Sequence, residues 1–262
     1  MIKYWEILKS QVKLDINYTA WYWSNMLSNI LRVLVIYSFW KAVYENLQDI
    51  ANIDLKTMIT YAILAMILNN YMVGMGPELA KKIREGDVAV EIIRPYDLLI
   101  KLIAMDLGSK LTRFFRDTIP ILFLSFFFLK INYPMDISTF VISVISALLG
   151  VLIGSQLDLI IGILAFWLTY IWGLRILKDA VILLFSGALI PITLFPNWLQ
   201  AITNYLPFQA MIYTPVAIYT EQLSGNAMYI AIIIQIIWLI VVFFIIRLVW
   251  AYALRNITIY GG

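Results

Sequence analysis

Four charged residues, Asp106, Lys110, Arg113 and Asp117, recur at spacings of four, three and four, which places them on one face of a helix. They lead into the apolar run from Ile119 to Leu129. A charged stripe that enters a membrane must face protein or water rather than lipid. Opposite charges four residues apart, Asp106 with Lys110 and Arg113 with Asp117, can compensate each other. The stripe is expected to form a seam against other helices near the cytoplasmic surface. For Asp106 and Lys110 a solvated helix end outside the membrane fits as well. Other polar residues inside apolar segments are Arg32, Asn69, Asn70, Gln156 and Asp158. An ionisable group there costs roughly 2.5 to 3.5 kcal/mol, so Arg32 and Asp158 should be paired or wet. They could line a transport path or relay protons, but two isolated charges form no visible relay, and packing between helices is the favoured role.

Several chemistries are missing. The chain has no Cys and no His, which removes disulfides, zinc sites, Cys or His nucleophiles and histidine acid–base work. It has no Gly-x-x-x-x-Gly-Lys-Ser/Thr phosphate loop, so it has no evident cradle for ATP. It also lacks a Gly-x-Ser-x-Gly elbow and a His-Glu-x-x-His pair. No catalytic, cofactor-binding or metal-ligating set is therefore expected in this chain.

The elements that must position these residues are membrane helices. Of 262 residues 63% are hydrophobic and only 13% charged, with a mean hydropathy of +0.87, whereas soluble domains carry about 25% charged residues. The net charge of +3 is modest, and the basic residues sit in cytoplasm-facing segments rather than in a groove with stacking aromatics. Nucleic-acid binding is not expected. Residues 1–16 carry Ile2, Trp5, Leu8, Val12 and Ile16 at helical spacing against Lys3, Glu6, Lys9, Ser10 and Lys13. That pattern predicts an amphipathic interfacial helix on the cytoplasmic leaflet and lacks the unbroken apolar core of a signal peptide.

An all-α, polytopic fold with six transmembrane helices follows, as a single transmembrane domain over residues 1–262. The spans are expected at about Trp21–Tyr44, Met58–Gly76, Leu98–Leu129, Ile137–Leu168, Asp179–Phe195 and Ala227–Tyr252. Fifteen Lys and Arg residues fall on one side of these spans, against Lys41, Lys56 and Lys130 on the other, with Arg32 inside one. Both termini should therefore be cytoplasmic. Between Lys178 and Arg247 no Lys or Arg occurs. The stretch 196–222 inside it should be an external re-entrant segment: Pro191, Pro196, Pro207 and Pro215 interrupt helix, and Trp198, Tyr205, Phe208, Tyr213 and Tyr219 suit interfacial depth. A loop lying on the headgroups is the plainer reading of the same residues. Gly150, Gly154 and Gly162 fit close approach of helices.

The most informative cytoplasmic piece is residues 77–96. Pro77 suits a first helical turn, Glu78 its positive end, and Gly86 its termination. Leu79 and Ile83 would form an apolar edge flanked by Lys81, Lys82, Arg84 and Glu85, as a helix needs to dock in a groove of a soluble partner. An ordinary positive-inside loop would carry the same basic residues.

The stretch from Ile83 to Pro95, Ile-Arg-Glu-Gly-Asp-Val-Ala-Val-Glu-Ile-Ile-Arg-Pro, resembles the loop after the second helix in membrane subunits of type-2 ABC exporters, in the six-span branch of drug and antibiotic exporters. Gly162 to Trp167, Ser186-Gly187, Pro191, Phe195 to Leu199, Tyr205 to Phe208, Tyr213 to Pro215 and the ending Tyr260-Gly-Gly262 are similar to the same branch. The resemblance covers most of the chain. It implies that the cytoplasmic helix couples to an ATP-binding-cassette ATPase subunit through Leu79, Lys82, Ile83, Arg84, Glu85, Gly86 and Asp87. It also implies an external gate at Pro191, Pro196, Trp198, Tyr205, Pro207 and Phe208, a second six-span permease as homo- or heterodimer partner, and ATP and Mg held on the partner ATPase only. The expected role is that of a permease subunit in the cell membrane that exports an apolar or amphipathic cargo. Rival readings are a secondary transporter or channel, a membrane enzyme, and a scaffold or immunity protein that sequesters without transport.

Overall fold

A computed structural model of the chain describes residues 2–16, 20–46, 53–134 and 136–255, apart from the side chains of residues 2, 20–23 and 46. The described residues form helices joined by short turns, with no strand among them apart from a single bridge residue at Ile53. The helices are α1 (Ile2–Ile16), α2 (Ala20–Asn46), α3 (Leu55–Asn69), α4 (Gly76–Glu85), α5 (Val88–Ile93), α6 (Leu98–Arg113), α7 (Ile119–Phe128), α8 (Ile137–Ile163), α9 (Trp172–Phe185), α10 (Asn197–Asn204), α11 (Tyr213–Tyr219) and α12 (Gly225–Leu254). The closing Tyr260 to Gly262 lies outside the described residues.

Among the described residues three helices are long and apolar enough to cross a membrane: Ser24–Glu45, Ile137–Phe166 and Gly225–Leu254. Helix α3 is apolar but only 15 residues long, about 22 Å at 1.5 Å per residue against a hydrocarbon core of about 30 Å. Most of it is buried inside the bundle, where neighbours rather than lipid surround it. The expected fifth span is displaced: α9 begins at Trp172 and stops at Phe185, and residues 186–195 are bends and a 3₁₀ turn rather than helix. The Ser186-Gly187 pair explains the early stop, since Gly187 takes a left-handed φ of 77° that ends a helix.

Helices α6 and α7 form one continuous run through a π turn at Phe114–Thr118. Pro120 is the cause: it offers no N–H to the preceding turn and its ring crowds the carbonyl four residues back, so the helix widens just before it. The widening splits the charged stripe. Asp106 and Lys110 are buried and pair at 2.6 Å, with Lys110 donating at 2.6 Å to Ser155 of α8, whose hydroxyl in turn donates at 2.5 Å to Asp106. They are a packed seam and not a solvated helix end. The expected pairing of Arg113 with Asp117 does not form: Asp117 is held at 3.2 Å by Arg116, and Arg113 donates to the Asn70 carbonyl at 3.3 Å.

Helix α8 is the spine of the fold, packed by α4, α11 and α12. Helix α1 forms as expected but packs along α6. The Leu8 carbonyl lies so close to Gly108 that a Cβ there would sit 2.7 Å from it. At the same corner the Lys3 ammonium reaches the Pro95 carbonyl at 2.5 Å, and the Tyr4 hydroxyl accepts from the Asp97 amide at 3.0 Å.

Residues 196–222 pack into the bundle as well as turning the chain. Every residue of α11 is buried, and Tyr213 N–H donates to the Ser186 carbonyl at 2.9 Å. The Tyr61 hydroxyl donates to the Gly187 carbonyl at 2.7 Å. Gly150 of α8 accepts this closeness, because a Cβ there would lie 2.4 Å from the Met211 carbonyl. Gln235, fully buried in α12, donates at 2.7 Å to the Ala210 carbonyl and at 3.1 Å to the Ser146 carbonyl, and accepts from the Ser146 hydroxyl at 2.8 Å. A buried amide with all three bonds made fixes three elements at once.

Candidate coupling site

Helix α4 begins at Gly76 with Pro77 in its first turn, where a missing N–H costs nothing, and ends at Gly86 in a left-handed conformation with φ of 82°. No side chain of its own segment caps its start. The cap comes instead from another helix. Asp158 of α8 accepts from Gly74 N–H at 3.0 Å and from Gly76 N–H at 2.9 Å through one carboxylate oxygen. Its other oxygen takes the Lys178 ammonium of α9 at 2.5 Å, and Lys178 also reaches Asp179 at 3.0 Å. A carboxylate at a helix N-terminus answers both the free N–H groups and the positive end of the macrodipole.

Backbone packing completes the joint. A Cβ on Gly162 would lie 2.5 Å from the Gly76 carbonyl oxygen, and one on Gly76 would lie 2.2 Å from the Asp158 carbonyl oxygen. Glycine at both positions lets α4 rest directly on α8. Asp158 is fully buried, so the intramembrane charge is paired and packed. Its partner Lys178 is a residue that sequence reasoning counted only as a topology signal.

The segment 77–96 folds back on its own bundle, which revises which of its residues face outward. Leu79, expected on a docking edge, is 0% exposed and packs with Val88, Leu98, Leu99, Leu102, Leu159 and Ile163, with Ile83 partly buried against the same cluster. Lys82 is also engaged at home, 3.3 Å from Glu91. The residues left open are Lys81, Arg84, Glu85, Gly86 and Asp87, continued on α5 by Val90 at 57% and Ile93 at 84% exposure. The α4 helix is amphipathic because its apolar edge is already used by the chain itself.

Glu91 is the fastener of this corner. Lys101 donates to it at 2.7 Å, the Tyr96 hydroxyl at 2.5 Å, and Lys82 at 3.3 Å, with Arg94 at 4.0 Å. Partial burial pushes its carboxyl upward, but the hydrogen bonds from Lys101 and Tyr96 and the nearby Lys101 and Lys82 charges outweigh it and hold the group at about 2. Asp97 then caps α6, accepting from Ile100 N–H at 3.0 Å, and pairs with Arg247 of α12. These ties connect the segment 77–96 to the start of α6 and to Arg247 of α12.

The expected external gate residues divide. Pro191 is buried, Pro207 and Phe208 are half-buried, and Phe208 lies 6.3 Å from the Phe185 ring. Pro196, Trp198 and Tyr205 are exposed, the two aromatics at 66% and 82%. Of the intramembrane polar set, Arg32 and Asn70 line a common cavity, Asn69 is half-buried at the end of α3, and Asp158 belongs to the joint described above. Gln235 was not singled out in the sequence, although it is the one amide in the apolar run of α12 between Asn226 and Arg247.

Residues 27–261 match the model of a family described as ABC-2 family transporter protein, which covers the spine helix, the α4–α5 segment and residues 196–222. No curated protein matches the chain. With its family match spanning nearly the whole sequence, the chain belongs to the ABC-2 family of transporters and is a membrane component of that class.

Proposed function

We propose that the chain is the permease subunit of an ATP-driven exporter that moves an apolar or amphipathic cargo out of the cytoplasm. It spans the cell membrane six times with both termini cytoplasmic, counting α3, the α6–α7 run and α9 as spans shielded by their neighbours. It pairs with a second six-span permease and with ATP-binding-cassette ATPase subunits that hold ATP and Mg. The observation that carries this reading is the joint at Asp158: a short, outward-facing cytoplasmic helix whose N-terminus is fixed by a buried ion pair to α8 and α9. A force applied to Arg84, Glu85 and Asp87 by a closing ATPase passes through that joint to two membrane helices, and shifts the bundle between discrete packings. Residues 196–222 then act as the outer gate.

The test is a co-purification from cells followed by ATP-driven transport in vesicles. An ATP-binding-cassette ATPase should co-purify, and Arg84→Ala with Glu85→Ala should lower transport about tenfold or more while membrane insertion is unchanged, because both side chains are exposed and neither belongs to the core. Unchanged transport and unchanged ATPase association in that double variant, or flux driven by an ion gradient with no ATPase present, contradicts the assignment.

A further inference from the structure

A cavity of about 260 Å³ lies between α2, α3 and the π turn. From α2 it is lined by Asn25, Ser28, Asn29 and Arg32, which recur at i, i+3, i+4 and i+7 and so form a polar stripe on one face of a membrane helix. Opposite them stand Asn70, Tyr71, Arg113, Asp117 and Thr118. Asp117 and Thr118 belong to the π turn and Arg113 directly precedes it, and π bulges recur at functional sites. The polar stripe has no place on a lipid-facing surface.

The charges are unbalanced. Asp117 is answered locally by Arg116 at 3.2 Å, and Arg113 is held by the Asn70 carbonyl, a neutral partner. Among the described residues no carboxylate lies within ion-pair distance of Arg32. Two guanidinium groups therefore border a polar space in which, among the described lining residues, the single carboxylate, Asp117, is paired with Arg116. The volume is below the roughly 300 to 1,000 Å³ of pockets that enclose a whole drug-sized ligand, so it suits a headgroup while the rest of the molecule stays outside. Arg32 lies eight residues into the membrane-crossing stretch that starts at Ser24, about 12 Å along the helix, which is inner-leaflet depth if α2 enters from the cytoplasm.

We infer that this cavity binds the anionic headgroup, carboxylate or phosphate, of an amphipathic molecule in the inner leaflet, with Arg32 and Arg113 as its cationic walls. The inference rests on the exporter reading and gives its cargo a charge. It is tested on the purified full chain in nanodiscs of neutral lipid, without the ATPase, using a fluorescent long-chain fatty acid and the alcohol of the same chain length. The acid should bind about tenfold more tightly than the alcohol, a difference of one charge-assisted contact. Arg32→Gln should erase that preference and leave alcohol binding unchanged, and Arg32→Lys should keep most of it. Equal binding of acid and alcohol, or a preference that survives Arg32→Gln, overturns the inference. Inorganic phosphate at constant ionic strength separates the sources: a headgroup site anchored by an acyl chain resists millimolar phosphate, and full displacement of the acid by phosphate alone identifies a soluble-anion site and overturns the amphipath assignment. Co-purification of the ATPase is read separately, so loss of the acid preference with the ATPase still bound defeats this inference alone.

Discussion

Two joints on α8 tie it to its neighbours with different chemistry. Near its C-terminal end Asp158, paired with Lys178, holds the start of α4 through two backbone N–H groups. Near its middle, Ser146 and Gln235 hold the backbone at Ala210 through neutral hydrogen bonds. Both joints also use glycine, Gly162 against Gly76 and Gly150 against Met211, so that backbone packs on backbone. Hydrogen bonds to charged groups contribute about 1.5 to 3 kcal/mol and neutral ones about 0.5 to 1.5. The charged joint is therefore suited to transmit force without yielding. The neutral joint is suited to part and reclose.

This contrast can be broken most severely at Asp158. Asp158→Ala leaves Lys178 buried without its main partner and two N–H groups of α4 unmet, and should cost about 3 to 5 kcal/mol, seen as a large fall in Tm of the detergent-solubilised protein. A change within error would mean that the joint is not structural. Gln235→Leu should cost less, about 1 to 3 kcal/mol, because it strands the Ser146 hydroxyl and the Ala210 carbonyl without leaving a charge unpaired. Proteolysis or hydrogen exchange should show faster opening over residues 205–219 and no change over residues 76–85; the opposite pattern would reverse the roles assigned to the two joints.

The smallest effect is expected at Glu91, which sharpens the charged side. Its carboxyl sits at about 2 in the folded chain against 4.5 when free, so its stabilisation is complete above about 4.5 and fades as pH falls through about 2. Glu91→Gln should speed hydrogen exchange over residues 82–101 at neutral pH, and the gap between variant and parent should close as pH is lowered through that window. A gap that is independent of pH would mean the corner is held by packing alone.

Much of the fold was legible because hydropathy and charge bias are one-dimensional signals. The long helices at α2, α8 and α12 stand out by composition, and Pro77 and Gly86 mark both ends of α4. The site was less legible because its ties are between residues distant in the chain. Asp158 reads as an isolated charge until α9 brings Lys178 beside it, and Leu79 reads as a free apolar edge until α6 and α8 cover it. The π turn defeated the spacing argument for Arg113 and Asp117, since a single extra residue in the turn shifts the face on which the following side chains lie. Pro120 was the available sign of that irregularity.

We propose that α4 drives the bundle through the Asp158–Lys178 joint. The most direct test is the double variant Asp158→Asn with Lys178→Met, which removes both charges together and so avoids an uncompensated buried ion. Assembled with its ATPase in vesicles, this variant should keep complex formation and basal ATP hydrolysis while ATP-driven export falls about tenfold, a loss of about 1.4 kcal/mol in coupling. Export at the parental rate with both charges gone would contradict the account.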